Sequence, residues 1–569
     1  MTSEFARVRQ LDRLTCAGGS HELRELPLPG GGVDRVVRGA PSTLVDVLAA
    51  TESFAGLEYI RYRGEAYTFG DVLDQTSRLA RALARLGVRR GDRVAVCMRN
   101  LPEWPAALFA PMALGAISVS LNGWWSAGEI ADGLQDCGAS VLIADRDRLA
   151  RVEDDLAGLG VRAIGVRCPE LRSGRVVPWG DALAASCSGP LPHPPVGPDD
   201  NCMMLYTSGS TGGPKGAVST HRSVVHALMA WEIENRAQAA LQGLPVVNEP
   251  FDAQQRMLVT IPFFHVTACH VCMLTGLRYG RRLTLMRKWD PSHAVDLIDR
   301  ERITHFISVP TVTGDLVREA ARLGRDLPSL LYVGGGGSHR PVSQVAAIAE
   351  TFRNALPSTG WGMTETNAIG TQIAGSDYLR VPTSSGRRSV LMDLRIARPE
   401  DGAELPRGET GEVWVRGTPV VRRYWNKPGA NRRAFRDGWF RTGDLAFRDD
   451  EGFVHFVDRI KDIVIRGGEN ISCLRVEDAL HRCQGVAEAV ALGIPDDRLG
   501  EQLAAVVVAR PGADVSERSL RDALGESVAR FEVPAHILVW PAPLPRIATG
   551  KFDKRRIRAF ALAEIREQR

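Results

Sequence analysis

The densest group of residues that could do chemistry lies at 206–216, in the sequence YTSGSTGGPKG. Glycines let backbone N–H groups approach phosphate oxygens, and the interleaved hydroxyls add side-chain donors. The run is not a Walker loop, because Pro214 stands where that motif has glycine and Gly216 where it has a hydroxyl. We therefore predict a phosphate-binding loop of another kind. Its candidate ligands are Thr207, Ser208, Gly209, Ser210, Thr211 and Lys215.

Seven further segments follow this loop along the chain. They are PFFH at 262–265, GGGG at 334–337, GWGMTE at 360–365, RTGD at 441–444, DRIKD at 458–462, IRGGEN at 465–470 and LPRIATGK at 544–551. Singly, each has an ordinary explanation: a lone histidine is often a core residue, four glycines can form a turn, and a charged run usually faces solvent. Their order behind the phosphate loop makes them informative together.

In this order the segments resemble the motifs of the adenylate-forming superfamily, which comprises acyl-CoA synthetases, nonribosomal adenylation domains and luciferases. The resemblance runs from about residue 45 to about residue 560. It implies that the chain uses ATP and Mg²⁺ to activate a carboxylic acid as an acyl-adenylate. Coenzyme A would then accept the acyl group, with release of AMP.

The resemblance also implies roles for the nucleotide-site residues. Trp361 would stack on adenine, Thr364 would meet the α-phosphate, and Glu365 would help to hold Mg²⁺ as a hard oxygen ligand. Asp444 and Arg459 would bind the ribose. Backbone at Gly335, Gly336, Gly337, Gly360 and Gly362 would complete the site.

Lys551 is the expected catalytic lysine, because its segment resembles the family's lysine loop. An ammonium between the substrate carboxylate and the α-phosphate would offset charge in the transition state. Lys461 would be a hinge, and Gly467 and Gly468 would let backbone approach the pantetheine arm of coenzyme A. His265 would act catalytically beside the acyl pocket, whose expected residues are His265, Val266, Thr267, Gly334, Gly335 and Gly362.

The expected acyl pocket is lined by small, mostly uncharged residues and offers no lysine or arginine for a second carboxylate. We therefore expect a bulky or long apolar monocarboxylic acid. Fatty acids are the commonest of these, while polycyclic terpenoid or steroid acids and aryl acids stay open. A large side chain at Gly335 is expected to exclude bulky acids and spare short ones.

There are three alternatives to an acyl-CoA synthetase. No carrier domain follows Lys551, so we expect a free-standing ligase, but loading of a separate carrier protein or arrest at the adenylate stays open. A non-catalytic relative would be expected to have lost Lys551, Glu365 or the loop hydroxyls, and all are present.

The pattern of apolar residues predicts the scaffold. An amphipathic run capped by Thr68 and closed by Gly87 leads into the apolar run at 94–98, and similar units follow at 104–120 and 129–144. This alternation predicts an α/β fold. We expect a large N-terminal domain of parallel-rich sheets covered by helices at 1–460, with an irregular leader at 1–40. A small, mobile α+β C-terminal domain would follow at 461–569.

Charge and cysteine content exclude several other classes of protein. The 71 basic and 67 acidic residues leave a net charge of +4, without the basic surface that nucleic acids require. Ten scattered cysteines indicate a reducing compartment, and the CxxC at 269–272 is expected to pack in the core or pocket. No early apolar run is long enough for a signal peptide or membrane span. We expect a cytoplasmic enzyme whose partners are the acid, ATP and coenzyme A, with a homodimer as one option.

Overall fold

The computed structural model describes residues 3–27, 33–170, 174–193, 195–207, 214–242, 254–466, 469–496, 498–547 and 550–567. Two large mixed sheets and a smaller antiparallel sheet form the N-terminal domain, and a further sheet forms the small C-terminal domain. The fold is therefore the predicted α/β arrangement of a large and a small domain. None of the described helices is both long and apolar enough to cross a membrane.

The first large sheet has eight strands, of which the inner ones are parallel. Its edge carries the antiparallel pair Asn201–Thr207 and Lys215–Thr220, which brackets the predicted phosphate loop. In spatial order its strands are Arg423–Tyr424, Lys215–Thr220, Asn201–Thr207, Ile117–Ser120, Arg93–Cys97, Val141–Asp145, Arg162–Val166 and Val176–Pro178.

The second large sheet has nine strands, with a parallel centre and antiparallel edges. Its strands Tyr332–Gly335 and Leu356–Trp361 deliver two of the predicted glycine-rich segments to the same end of the sheet. In spatial order the strands are Arg387–Arg388, Thr371–Ala374, Leu356–Trp361, Tyr332–Gly335, His305–Ser308, Arg256–Val259, Arg282–Leu285, Glu58–Tyr62 and Glu65–Thr68.

Helices cover both large sheets, as the apolar periodicity predicts. Thr68 caps the helix Phe69–Arg85 through a reciprocal pair of hydrogen bonds with Asp71, and Gly87 closes it with a φ of +82°. The other N-terminal-domain α-helices are Ser3–Thr15, Leu44–Ala49, Trp104–Met112, Ala127–Cys137, Arg146–Val152, Leu156–Leu159, Trp179–Ala184, His221–Gln242, Thr275–Tyr279, Pro291–Arg300, Pro310–Arg322, Val342–Thr351, Gly375–Arg380 and Pro428–Ala434. A π-helix spans Thr267–Leu274, and short 3₁₀ turns span Ala50–Phe54 and Thr364–Thr366.

The first 40 residues differ from the irregular leader that we expected. They contain the helix Ser3–Thr15 and an antiparallel pair of strands, Leu23–Pro27 and Val33–Val37. The helix packs on His221–Gln242, where Arg7 forms an ion pair with Glu234 at 2.7 Å and Leu11 is buried. Tertiary docking therefore stabilises a segment whose own apolar pattern is weak.

A third, antiparallel sheet connects the two domains. Its strands are Asp393–Ala397, Gly411–Arg416, Phe435–Arg436, Trp439–Arg448 and Val454–Arg459. The chain leaves this sheet at Arg459 and enters the sheet of the small domain at Val464.

The small domain has its own two-sided core. Its sheet contains Val464–Arg466, Glu469–Ile471, Val486–Asp496, Gly500–Ala509 and His536–Val539. Helices Cys473–Arg482 and Glu517–Gly525 bury Val476, Leu480 and Leu520 on one face, and Lys554–Glu567 buries Ile557 and Ile565 on the other. The residues of both clusters come from this domain alone, so it can move without unpacking the large one.

Candidate active site

The predicted phosphate loop lies between two paired strand ends. Thr207 ends one strand and Lys215 begins the next, and the two residues are register partners. The Lys215 ammonium lies 5.2 Å from the ring centroid of Tyr424. Ser208, Gly209, Ser210 and Thr211 lie outside the described residues. The anchoring strands place the ends of the loop beside Tyr424 at the sheet edge.

The predicted adenine and ribose residues meet in one cluster. Trp361 donates a hydrogen bond from Nε1 to Asp444 Oδ2 at 2.7 Å, and the Arg459 Nε lies 2.9 Å from Asp444 Oδ1. Phe456 stacks on the Trp361 ring with centroids 5.0 Å apart. The indole of Trp361 therefore reaches the Asp444 carboxylate directly. The cluster joins an aromatic platform to a buried carboxylate acceptor.

Glu365 lies beside this cluster with its carboxylate buried. It accepts a hydrogen bond from the Tyr424 hydroxyl at 2.7 Å. Burial raises the pKa of Glu365, and the hydrogen bond from Tyr424 opposes that rise by favouring the charged form. Thr364 begins the 3₁₀ turn that presents Glu365, and Asn367 ends it with a φ of +50°. A buried carboxylate is thus held on a fixed turn next to the phosphate loop.

Lys551 reaches from the small domain into the large one. A Cβ built on Gly337 would lie 3.2 Å from Lys551 Cε and 3.4 Å from Nζ, so the lysine runs against the glycine-rich strand end. Burial and, to a smaller extent, the positive charge of Arg459 together lower the pKa of Lys551 to about 8, against the opposing effect of Asp444. The Lys551 ammonium is therefore within electrostatic range of both Arg459 and Asp444.

His265 is buried near the positive charge of Lys551. Burial lowers the pKa of His265 to about 3, and Lys551 contributes to this shift. The imidazole is therefore neutral at pH 7. Its Nε2 is shielded from solvent and has no hydrogen-bond partner among the residues that the structure describes. This nitrogen is available to a bound molecule.

Polar contacts with the large domain hold the small domain in this orientation. Thr311 donates a hydrogen bond to the Gly550 carbonyl at 2.7 Å, directly beside Lys551. Arg546 forms an ion pair with Asp315 at 2.9 Å, and His339 lies 2.9 Å from Asp478. The hydrogen bond with Asp478 favours protonated His339 and raises its pKa despite the opposing effect of burial. The lysine is thus positioned by contacts on both sides of its loop.

An uncharged cleft opens beside the glycine-rich strand end and contains about 510 Å³ of empty space, counting its opening to solvent. Of the predicted acyl-pocket residues, Thr267, Gly334, Gly335 and Gly362 line it, whereas His265 and Val266 are not among its lining residues. The remaining lining residues are Trp231, Val271, Ile307, Tyr332, Gly336, Gly337, Ser358, Thr359, Gly360, Ala368 and Gln372.

The structure does not support the expectation that a large side chain at Gly335 would fill the acyl cleft, because a Cβ at this position points elsewhere. That atom would lie 1.9 Å from Nη2 of the buried Arg340, on the side of the strand away from Gly334. Successive residues of a strand point to opposite faces, so it is Gly334 that faces Tyr332 and Ile307 of the cleft. Gly335 is required for packing against Arg340, and it contributes only backbone to the cleft.

Lys461, Cys269 and Cys272 are not among the residues that line the cleft. Lys461 is exposed on the connection between the two sheets, and Gly467 and Gly468 lie outside the described residues. Cys269 and Cys272 are buried free thiols of the π-helix, and burial raises the pKa of both. Their placement is that of core residues.

Several site residues had no sequence signal that assigned them a role. Phe456 stacks on Trp361, Arg340 backs Gly335, and Trp231 and Gln372 line the cleft from separate elements. Tyr424 bonds to Glu365 although the two residues are far apart in the chain. Only the meeting of distant elements identifies these residues.

Comparisons with known proteins agree with this arrangement. The family model for AMP-binding enzymes matches residues 49–425, and that for the AMP-binding enzyme C-terminal domain matches residues 475–551. A feruloyl-CoA synthase from Amycolatopsis sp is 34% identical over 500 residues, which are 88% of this chain and 95% of the relative. The long-chain-fatty-acid–CoA ligase FadD13 of Mycobacterium tuberculosis is 33% identical over 86% of this chain and 92% of its own.

A solved structure extends the likeness to three dimensions. The o-succinylbenzoate CoA synthetase from Bacillus subtilis, in complex with its acyl-adenylate intermediate, superposes with a TM-score of 0.75 at 26% identity. The match covers 91% of this chain and 98% of that one. Because the family model spans most of the chain and the relatives match nearly their whole length, the chain belongs to the adenylate-forming superfamily and is an AMP-forming acyl-CoA synthetase, an acid–thiol ligase.

Proposed function

We propose that the enzyme couples a largely apolar, ring-containing monocarboxylic acid to coenzyme A in two half-reactions. The acid and ATP first give acyl-AMP and pyrophosphate, and acyl-AMP and coenzyme A then give acyl-CoA and AMP. The observation that carries this proposal is the position of Lys551. Its ammonium lies at the end of the uncharged cleft, against Gly337, and within the field of Arg459 and Asp444.

In the first half-reaction a carboxylate oxygen attacks the α-phosphorus and pyrophosphate leaves. The Lys551 ammonium offsets negative charge on the carboxylate and the α-phosphate as they approach, and burial strengthens this interaction. Thr364 contacts the α-phosphate, while Trp361 supports adenine and Asp444 accepts hydrogen bonds from the ribose hydroxyls. The neutral His265, which lies near Lys551 and does not line the cleft, would contact the acid with its unpaired Nε2 at the carboxylate end.

Glu365 is the residue that would hold the magnesium ion needed with ATP. Its carboxylate is buried, and only Oε1 is bonded to Tyr424. In the part of the chain that the structure describes, no three His, Cys, Asp or Glu side chains cluster as a metal site. One carboxylate with substrate oxygens is the usual way in which proteins hold Mg²⁺. When bound, the ion neutralises phosphate charge.

The second half-reaction requires the small domain to rotate about Lys461. Lys551 then leaves the cleft, and Gly467 and Gly468 come to face the acyl-adenylate and the pantetheine arm. The separate cores of the two domains support rigid-body motion of this kind. Lys461→Pro should restrict φ at the hinge and slow thioester formation from supplied acyl-AMP, while pyrophosphate exchange is retained. Normal overall turnover by this variant would contradict the hinge.

The lining of the cleft favours a ring acid over a fatty acid. Trp231 and Tyr332 line the cleft with aromatic rings, which pack well against a ring of the acid. Thr359 already donates to the Gly335 carbonyl and the Tyr332 hydroxyl interacts with Ser358 and Gln372, but Gln372 Oε1 is an unpaired polar atom that an alkyl chain could not satisfy. The two relatives described above are named for an aryl acid and for long-chain fatty acids. Fatty acids therefore become the alternative, together with polycyclic acids of the steroid or terpenoid type.

ATP–pyrophosphate exchange with a panel of aryl, polycyclic and fatty acids tests the first half-reaction. We expect exchange with ring acids and stoichiometric release of AMP when coenzyme A is added. Product analysis during a coenzyme A titration separates this function from carrier-protein loading, in which acyl-AMP would persist. Exchange with none of these acids would contradict the proposal.

The free thiols support placement of the enzyme in the cytoplasm. All ten cysteines are unpaired in the structure, as in a reducing compartment. Assembly as a homodimer stays a prediction.

A further inference from the structure

We propose that the acid carries a hydroxyl group far from its carboxylate, and that Trp231 and Gln372 recognise this hydroxyl. The inference rests on the proposed function and names a substrate class within it. Trp231 lies on the helix His221–Gln242 and Gln372 on the strand Thr371–Ala374, and both line the uncharged cleft.

The two side chains carry complementary polar atoms without partners. Trp231 Nε1 and Gln372 Oε1 are both shielded from solvent, and neither has a hydrogen-bond partner among the described residues. Indole nitrogen can only donate a hydrogen bond, and an amide oxygen can only accept one. Buried polar atoms are nearly always paired in folded proteins, so two such atoms on one cleft indicate a missing ligand group or water.

The Gln372 amide is already oriented by its neighbour. Its Nε2 donates to Asn235 Oδ1 at 3.3 Å, which leaves Oε1 as the unpaired end. Asn235 lies four residues after Trp231 on the same helix, so the two side chains share one helix face. One helix face therefore both contributes the donor and orients the acceptor.

A hydroxyl is the smallest substituent that satisfies both atoms. It accepts a hydrogen bond from Trp231 Nε1 and donates its own proton to Gln372 Oε1. None of the described residues that line the cleft is charged, which disfavours a second carboxylate or an amine at this end. The Tyr332 hydroxyl, which interacts with the side chains of Ser358 and Gln372, adds a further polar group nearby.

The strand Tyr332–Gly335 limits the length of the acid. Tyr332 interacts with Gln372 at one end of the strand, and the chain reaches Gly337, beside Lys551, two residues after the other end. Five residue steps separate Tyr332 from Gly337, and at about 3.3 Å per step they span at most roughly 16 Å, which sets an upper limit on the distance between the hydroxyl and the carboxylate. One ring with a short connecting chain fits within this limit.

Matched pairs of acids that differ only by the hydroxyl test the inference. We would compare cinnamic with 4-hydroxycinnamic acid, phenylpropanoic with its 4-hydroxy partner, and an alkanoic acid with its ω-hydroxy partner. The ratio of kcat/KM in pyrophosphate exchange is the measured quantity. The native enzyme should prefer at least one hydroxylated ring acid by about tenfold or more, since sites built for a hydroxyl discriminate strongly against its absence.

Two near-isosteric variants should remove that preference. Trp231→Phe deletes the donor and keeps an aromatic ring, and Gln372→Leu deletes the acceptor. Each should bring the ratio within about threefold of unity, because kcat/KM for the hydroxylated acid falls by more than kcat/KM for the parent acid. Gln238→Leu is the matched control, because Gln238 lies on the same helix and donates to the Ala374 carbonyl but does not line the cleft. It should keep the native ratio.

The outcomes separate this inference from the proposed function. A native enzyme that treats both members of every pair alike would overturn the inference and leave acid activation standing, with water as the partner of the two atoms. An unchanged preference in both variants would also overturn it. Exchange with no acid of any pair, and none in the wider panel, would overturn the proposed function and this inference with it.

Discussion

The charge on Lys551 gives a pH dependence that is specific to one half-reaction. Burial and Arg459 lower the pKa of this lysine to about 8, and in the mechanism that we propose the ammonium is the form that stabilises the transition state. As the pH rises through this pKa, the charge is lost. About ten elevenths of the enzyme is protonated at pH 7 and about one eleventh at pH 9. The kcat/KM of adenylation should therefore fall about tenfold between these values.

Pyrophosphate exchange at subsaturating acid measures this quantity, because kcat/KM reports the pKa of the free enzyme. Lys551→Arg keeps a cation that does not titrate below pH 12, so its residual exchange should show no decline near pH 8. Lys551→Ala should lose exchange by about a hundredfold to a thousandfold. His265, with a pKa of about 3, stays neutral throughout and cannot produce the decline.

Thioester formation from supplied acyl-AMP is the internal control. Its nucleophile is a thiol, which becomes more reactive as the pH rises, and Lys551 has left the cleft by then. This half-reaction should therefore not decline between pH 7 and pH 9. An identical decline in Lys551→Arg, or in the thioester half-reaction of the native enzyme, would refute the assignment of the charge to Lys551.

Three further variants test the contacts around the site. Thr311→Val removes the hydroxyl that bonds to the Lys551 loop and should slow pyrophosphate exchange about fivefold. Thr313→Val is the control, because the hydroxyl of Thr313 bonds within its own helix, and it should not slow exchange. Equal losses in the two variants would contradict the docking role of Thr311. Gly335→Ala should lower the thermal unfolding midpoint by several degrees, because its Cβ would clash with Arg340. Gly336→Ala should not lower it, because the atom nearest to a Cβ at that position is 3.4 Å away. Equal unfolding midpoints for the two variants would argue against the clash. Tyr424→Phe removes the hydrogen bond that limits the rise in the Glu365 pKa, so it should increase severalfold the Mg²⁺ needed for half-maximal exchange. An unchanged Mg²⁺ titration would disprove this role.

Much of the scaffold can be predicted from local patterns in the sequence. The cap at Thr68, the glycine after Leu86 and the apolar run at 94–98 each act within a few residues of the chain, and the helix and strand form there. The order of the glycine, hydroxyl and charged segments was enough to indicate an adenylate-forming enzyme. Such motifs can be recognised because backbone approach to phosphate demands particular residue types at fixed spacing.

The leader and the acyl cleft show where local patterns are insufficient. The first helix has a weak apolar face and depends on docking against His221–Gln242, which the sequence does not reveal. The four glycines looked alike, yet strand alternation turns Gly334 toward the cleft and Gly335 toward Arg340. Which face a side chain occupies is decided by the register and packing of the sheet.

The unpaired atoms of Trp231 and Gln372 belong entirely to tertiary structure. The two residues are far apart in the chain, and neither stands in a motif. By itself, the sequence determined the kind of chemistry, since phosphate binding and charge stabilisation rest on residue types at set positions. Only the tertiary structure decided which acid the cleft suits, because shape and unpaired hydrogen-bonding atoms arise where distant elements meet.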